Sequence, residues 1–366
     1  MYRHRNPYLY YDLQNEKGRE DKVLKENIVI RMAKIQEFDK VREFLAQYWD
    51  DGNHIFVRWP EYFKYFQMTE GQFNVFIGIG EETEKIYGIC GFLVCNTRNT
   101  TDIQLNLLRI IDNDLGLNSL TMLDYILKNY EYRSIACCGI RPKTVVIYQY
   151  LGYQTGMLNH YYRLNDKESY EVAVIKNKII PDIKRGKYSL KRILDFQELQ
   201  RTFHARTYQD CLPYKDEQCI RHRYFESIGH QYMVYGIDKG TTSYDSIIIM
   251  REIDYKGTKI CKIVDFIGMD EDISEISTAI EELIHRNNYE FIDFYCIGID
   301  HELLEDAGFV LRKPKDENTI PRLFEPFVQE NKDIHYFINT TSSKFHLYCG
   351  DSDQDRANSN VRDKIE

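Results

Sequence analysis

Along the first half of the chain the apolar positions change period in a fixed order. Ile28–Ala33 (IVIRMA) reads as a strand. Phe38, Val41, Phe44, Leu45 and Tyr48 recur at helical spacing and predict a helix over 36–49. Pro60 suits the first turn of a second helix that ends near Gln67. Two apolar runs, 73–80 and 85–96, flank the charged turn 81–84 and predict a hairpin. A further strand covers 102–111, and an amphipathic helix covers 119–130. The stretch 134–164, SIACCGIRPKTVVIYQYLGYQTGMLNHYYRL, then predicts a strand, a helix, a Gly-aromatic turn and a second strand.

The second half repeats the scheme. Strands are predicted over 188–194, 231–237, 246–253, 258–266 and 291–297, and helices over 196–207, 215–226, 273–286 and 301–306. Residues 291–310, FIDFYCIGIDHELLEDAGFV, are a weaker copy of the stretch that begins at Ser134. Leu151-Gly152-Tyr153 recurs there as Ala307-Gly308-Phe309. A period this long means two similar domains rather than a solenoid of short units. The expected division is a polar arm (1–27), a first domain (28–165), a linker holding Pro181 (166–186), a second domain (187–349) and a polar tail (350–366).

A length of 366 residues agrees with two domains. The formal net charge of -9 argues against a general nucleic-acid binder, which needs a basic surface. No run of 18 apolar residues occurs, so no membrane span is expected, and the start of the chain lacks the apolar core of a signal peptide. The nine Cys form no Cys-x-x-Cys pair, which reads as buried reduced thiols in a cytoplasmic protein without a metal site. Asp351, Asp353 and Asp355 alternate like the start of a calcium loop, but Arg356 stands where Gly is needed and Arg362 where the bidentate Glu belongs.

Tyr148, three residues, then Gly152-Tyr153 resembles the signature that closes the acyl-transfer site of GNAT acetyltransferases. The order of strands and helices is similar to that family's topology. YWDDGNHIF (48–56) further resembles GNAT-like proteins from bacterial surface-polysaccharide gene clusters. The resemblance implies a mixed α/β fold: two tandem GNAT-like domains, each a central, mostly antiparallel sheet flanked by helices. It implies acetyl-CoA as co-substrate, its pyrophosphate held by the backbone amides of Leu115, Gly116, Leu117, Asn118 and Ser119 at a helix N-terminus. The family pattern there is Arg/Gln-x-x-Gly-x-Gly/Ala. Gly116 matches it, Asn113 replaces the first residue, and Asp112 and Asp114 add negative charge. The plainer reading is a helix capped by Asn118 or Ser119.

The same resemblance makes Tyr148 the acid that protonates the departing thiolate, against the plainer reading of a helix Tyr packed on the sheet. For the base, Asp102 lies with Gln104 and Asn106 at period two on the side expected to face the acceptor, and His54 lies in the loop expected to cover it. A structural His is the alternative for His54. In the second domain Gly268–Asp272 is acidic and Glu302-Leu303-Leu304 stands in place of 147–149, so that half is expected not to bind CoA. Arg223, Arg251 and Asp265 sit in or beside apolar runs, where charges pair. With Asp353, Asp355 and Arg356 they form a candidate substrate site suited to a sugar.

Three functions are compatible with these residues. The first is transfer of an acetyl group to an amine, on an amino sugar or nucleotide sugar of surface-glycan biosynthesis. The second is a non-catalytic tandem fold that binds a glycan or a partner. The third is aminoacyl transfer of the peptidoglycan-bridge type, which the acidic balance disfavours because a tRNA partner wants positive charge. The expected partner is a small-molecule or sugar acceptor, with no nucleic acid. Fold likeness does not choose among these, because one fold hosts many chemistries.

Overall fold

The computed structural model describes residues 26–49, 52–324, 327–342 and 344–358. The polar arm predicted for 1–27 lies almost wholly outside the described residues, as does the tail beyond 358.

The first half contributes β1 (Ile28–Met32), α1 (Phe38–Tyr48), α2 (Ile55–Arg58), α3 (Pro60–Gln67) and a small hairpin of β2 (Met68–Thr69) and β3 (Gln72–Phe73). There follow β4 (Val75–Gly80), β5 (Ile86–Val94), β6 (Thr101–Ile110), α4 (Ser119–Asn129), β7 (Tyr132–Ile140), α5 (Val145–Tyr150), β8 (Gln154–Met157) and β9 (Asn159–Leu164). The second half contributes β10 (Ser189–Ile193), α6 (Phe196–Thr202), α7 (Glu217–Ile220), β11 (Met233–Asp238), β12 (Ile247–Tyr255) and β13 (Thr258–Ile267). It ends with α8 (Ser277–Asn287), β14 (Phe291–Ile297), α9 (His301–Asp306), β15 (Val310–Leu311), β16 (His335–Asn339) and β17 (Leu347–Tyr348).

These strands build two large sheets, mostly antiparallel and flanked by helices, which is the expected mixed α/β class. The first runs β1-β4-β5-β6-β7-β16-β8, and the second β10-β11-β12-β13-β14-β9-β15 with β17 added against β14. The parallel pairs are β6 with β7 and β13 with β14. Strand alternation sorts the core. Along β12, Ile247 and Ile249 point to one face, and Ile248 and Met250 to the other. Helices α1 to α3 cover one face of the first sheet, while α4 and α5 cover the opposite face. The second sheet buries α8 and α9 on one side. Its other side meets the first sheet: Ala136, Cys138, Tyr336 and Ile338 pack in one core with Leu199, Phe203, Ile220 and Val264.

The halves exchange a strand. β9, expected with the first half, pairs along β14 from Phe291↔Leu164 to Cys296↔Asn159. β16, from the second half, inserts between β7 and β8. Both are buried on two faces: Tyr161 and Tyr162 enter different cores, as do Phe337 and Ile338. β16 and β17 were not predicted, because each offers only a short apolar run within a polar stretch.

Candidate functional site

Two parallel strands that start paired and then part leave a groove. β6 and β7 pair from Thr101↔Tyr132 to Gln104↔Ala136. β6 then continues to Ile110 against β5, while β7 continues to Ile140 against β16. The second sheet repeats this: β13 and β14 pair only from Cys261↔Ile292 to Ile263↔Phe294.

One segment of chain, 347–355, runs through both openings. β17 pairs with β14, Gly350 N donates to Val264 O of β13 at 2.7 Å, and so the second groove is filled. The next residues cross to the first groove. Gln104 Nε2 donates to Asp351 Oδ1 at 2.8 Å, Ser352 N donates to Gln104 Oε1 at 2.6 Å, and Cys138 N donates to Ser352 Oγ at 3.0 Å. The stretch expected to be a polar tail is thus interior at its start, with Asp351 and Ser352 buried.

Such a crossing puts carboxylates inside the protein, and each is matched. Lys215 Nζ donates to Asp265 Oδ1 and Oδ2 at 2.7 Å and lies 2.8 Å from Asp351 Oδ1. Tyr224 OH also donates to Asp265. Burial works against the Lys215 ammonium, but Asp265 and Asp351 outweigh it and its pKa lies above the ordinary value. Burial pushes Asp265 up, and Lys215 pulls it the other way. Arg251 Nη2 donates to Asp355 Oδ1 at 2.7 Å, and Arg356 Nε to Asp353 Oδ2 at 3.3 Å. The alternating Asp351, Asp353 and Asp355 are therefore each held by a cation.

The pyrophosphate amides expected on the resemblance are only partly available. Leu115 N and Leu117 N donate to Asn113 Oδ1, and Asn118 N donates to Thr121 Oγ1. Asn118 caps α4 by accepting from Leu120 N and Thr121 N, as the plainer reading has it. Among the described residues, Gly116 N and Ser119 N have no such partner. Gly116 has φ +85°, and a Cβ there would meet nothing within 4 Å. Space for an anion therefore exists over two amides at the N-terminus of an eleven-residue helix rather than over five.

Tyr148 is 7 % exposed, on the α4–α5 side of the first sheet, with its ring 4.0 Å from that of Phe337. Burial, then the nearby Cys137 and Cys90, push its phenol above the ordinary range, so it is protonated at neutral pH. Asp102 is fully buried. It accepts from Ser134 Oγ at 2.7 Å, Tyr214 N at 2.9 Å, Asn96 Nδ2 at 3.1 Å and from Arg133. It ties β6 to the chain before Lys215 and is enclosed, where an open acceptor face was expected. His54 caps α2 by accepting from Phe56 N at 3.3 Å, and its ring sits between Trp49 and Phe56. Burial, with Arg356 and Arg58, lowers its pKa to about 3.

The open site lies on the other face of the first sheet, between α3, the end of β5 and the α7 region. It is a cavity of about 120 Å³. Tyr62 and Tyr65 line it from one side, and His222, Arg223, Tyr232 and Asp355 from the other. Arg223 and Asp355 both line it, while Asp353 and Arg356 pair with each other and are not among its lining residues. Arg251 stands behind Asp355, while Asp265 belongs to the Lys215 cluster. The chain widens from α7 into a π turn at Arg221–Phe225, with Glu226 N donating to Arg221 O. Single π turns of this kind recur at functional sites. This turn brings His222 and Arg223 to the cavity wall while Tyr224 stays interior.

His222 and Tyr65 were not singled out in the sequence. They are 157 positions apart, yet the rings stack at 4.3 Å, His222 Nε2 donates to Tyr65 O at 2.8 Å and Tyr65 OH donates to His222 O at 2.6 Å. Burial holds the His222 pKa below its ordinary value. The ring is therefore neutral with its proton on Nε2, and Nδ1 is the acceptor. No local signal points to this pair; the histidine in Arg221-His222-Arg223-Tyr224 was the only handle.

Two buried histidines set an acid limit. His160 Nε2 donates to Asp293 Oδ2 at 3.2 Å and its Nδ1 accepts from Arg312 Nε, while burial lowers its pKa to about 4. His54 and His160 stay neutral in the fold while the unfolded chain protonates them near pH 6.5. Their contribution is complete above that value and is lost as pH falls toward 4 and then 3. The expected slope is about 1.4 kcal/mol per pH unit for each imidazole. Thermal melts from pH 7 to 4 check this. His54→Asn keeps a capping acceptor and should reduce the slope by about 1.4 kcal/mol per pH unit, the share of one imidazole; an unchanged slope would show that His54 titrates normally.

Among the described residues, no helix is long and apolar enough to cross a membrane. No family model matches the chain, and no curated protein matches its sequence. Solved structures do match its shape. A GCN5-related N-acetyltransferase from Anabaena variabilis ATCC 29413 superposes over 86% of this chain and 73% of its own, with TM-score 0.52 and 14% identity. A protein from Enterococcus faecalis V583, described as a probable N-acyltransferase, covers the same shares at TM-score 0.52 and 9% identity. Likeness at such identities establishes the fold alone: two tandem sheets of the GCN5-related N-acetyltransferase kind.

Proposed function

We propose that the chain is an N-acyltransferase that uses an acyl-CoA, acetyl-CoA on the strength of the Tyr148 signature, and holds its amine acceptor in the cavity beside Arg223. The observation that carries this is the parted pair β6 and β7. Gly116 N, Ser119 N and Tyr148 lie on its α4–α5 side, and the cavity opens on the other face of the same sheet. His222 Nδ1 takes the proton from the attacking amine. The new N–C bond forms as the C–S bond breaks, and Tyr148 gives its proton to the thiolate sulfur. Aromatic faces beside carboxylate and guanidinium groups suit an amino sugar, free or nucleotide-linked.

A second reading has a specific observation behind it. Leu115, Leu117 and Asn118 already spend their amides within the loop, and Ser352 sits at the head of the groove. Both would suit a protein that binds its ligand in the cavity and transfers nothing. Calorimetric titration with acetyl-CoA separates the two. The acyltransferase binds it saturably at one site per chain. Absence of heat at millimolar acetyl-CoA leaves the binding protein.

A further inference from the structure

Arg223 is the cation of the cavity whose donors are least used. Its Nη2 donates to Ser352 O at 3.1 Å, its one hydrogen bond among the described residues. A guanidinium carries five donors. Of the carboxylates at the cavity wall, Glu70 is exposed to solvent, while Asp355 and Asp216 are engaged elsewhere. Asp355 accepts from Arg251 and, at 3.0 Å, from Tyr232 OH. Asp216 accepts from Thr97 N at 2.8 Å, Thr97 Oγ1 at 2.9 Å and Cys219 N at 2.9 Å. Asp351 acts on Arg223 electrostatically, but its oxygens accept from Lys215, Gln104 and Tyr348 N. Two neighbouring arginines have carboxylate partners, Asp355 for Arg251 and Asp353 for Arg356. A half-buried guanidinium that faces a cavity and hydrogen-bonds no carboxylate of its own can take one brought from outside.

The walls add a second requirement. Tyr62, Tyr65 and Tyr232 line the cavity, with the Tyr62 ring stacked on Trp59 and the Tyr65 ring on His222. Aromatic side chains beside a guanidinium suit an organic anion rather than a bare inorganic ion.

We propose that the acceptor bears an anionic group, a carboxylate or a phosphate, which docks on the unused donors of Arg223 among the aromatic side chains that line the cavity. The inference rests on the cavity being the acceptor site. Its test uses no acyl donor, so it fails separately from acyl transfer itself.

The experiment is ligand-observed NMR titration of the full chain with three probes: D-glucuronate, glucose 1-phosphate and D-glucose. At least one anion should bind, and glucose should bind at least about tenfold more weakly, the loss expected when a charge-assisted pair is missing. The better anion identifies the carboxylate or the phosphate as the group recognised. Arg223→Gln should weaken that anion by at least about tenfold and leave glucose unchanged. Should Arg223→Gln fail to fold by circular dichroism, Gln218→Glu decides. Gln218 is an exposed wall residue, and a negative charge there should weaken the anion but not glucose. Equal binding of glucose and the anions, no binding of either anion, or anion binding indifferent to these variants would overturn the proposal.

Discussion

Lys215→Met is expected to destabilise the protein by about 3–5 kcal/mol, the cost of leaving buried charge without its partner. Lys215 is the cation that Asp265 and Asp351 share, and all three side chains are buried. Methionine fills the space but leaves two carboxylates facing each other in a medium of low dielectric. Asp351 belongs to the segment that fills both grooves, so repulsion there acts on both sheets. The pH dependence has a definite sign. In the native protein the Lys215 pKa lies above its ordinary value, so its contribution is complete below about pH 10.5 and is lost only as pH rises through the folded value. In the variant the deficit should shrink on acidification, because Asp265, already pushed up by burial, takes a proton. Chemical denaturation at pH 7 and pH 5 checks both statements. The combined change Lys215→Met, Asp265→Asn, Asp351→Asn should recover much of the loss, since removing a whole buried ion group costs far less than breaking it. A loss below 1 kcal/mol for Lys215→Met alone would show that the cluster is solvated.

Tyr148→Phe should lower turnover by about a hundredfold or more while leaving acetyl-CoA affinity almost unchanged, the range of general acid catalysis. The substitution keeps the ring against Phe337 and removes only the hydroxyl, so stability is expected to hold. Turnover is read as thiol release from acetyl-CoA with an amino sugar supplied as acceptor. Near-normal turnover in a folded variant would reduce Tyr148 to a packing residue of the core it shares with Tyr153 and Phe337.

The pattern of the sequence located the elements that have strong periods of their own. α1, β5, β12, α8 and β14 fall where the apolar spacing puts them, while the two-sheet architecture came from the resemblance and not from periodicity. The exchange of β9 and β16 was not legible. A strand buried on both faces is a short apolar run, and nothing local in NHYYRL or HYFIN says which sheet will take it. The site divides in the same way. Gly116 and Tyr148 have neighbours in sequence that mark them. Charge alone grouped Arg223 with Asp355, whereas the sharing of Lys215 between Asp265 and Asp351 depends on a segment that crosses between sheets, which the charge pattern of a polar tail does not show. His54 and Asp102 show the converse: polar residues near a cleft in sequence that folding spends on a helix cap and a buried junction.

Amide hydrogen exchange with and without acetyl-CoA tests acyl transfer most directly. Saturable slowing of exchange is expected at Gly116 and Ser119 and along 106–110 and 138–140, where β6 and β7 stand apart. A chain that shows the same exchange at these positions in millimolar acetyl-CoA as in its absence does not hold the acyl donor in this groove, and transfer by Tyr148 and His222 would be contradicted.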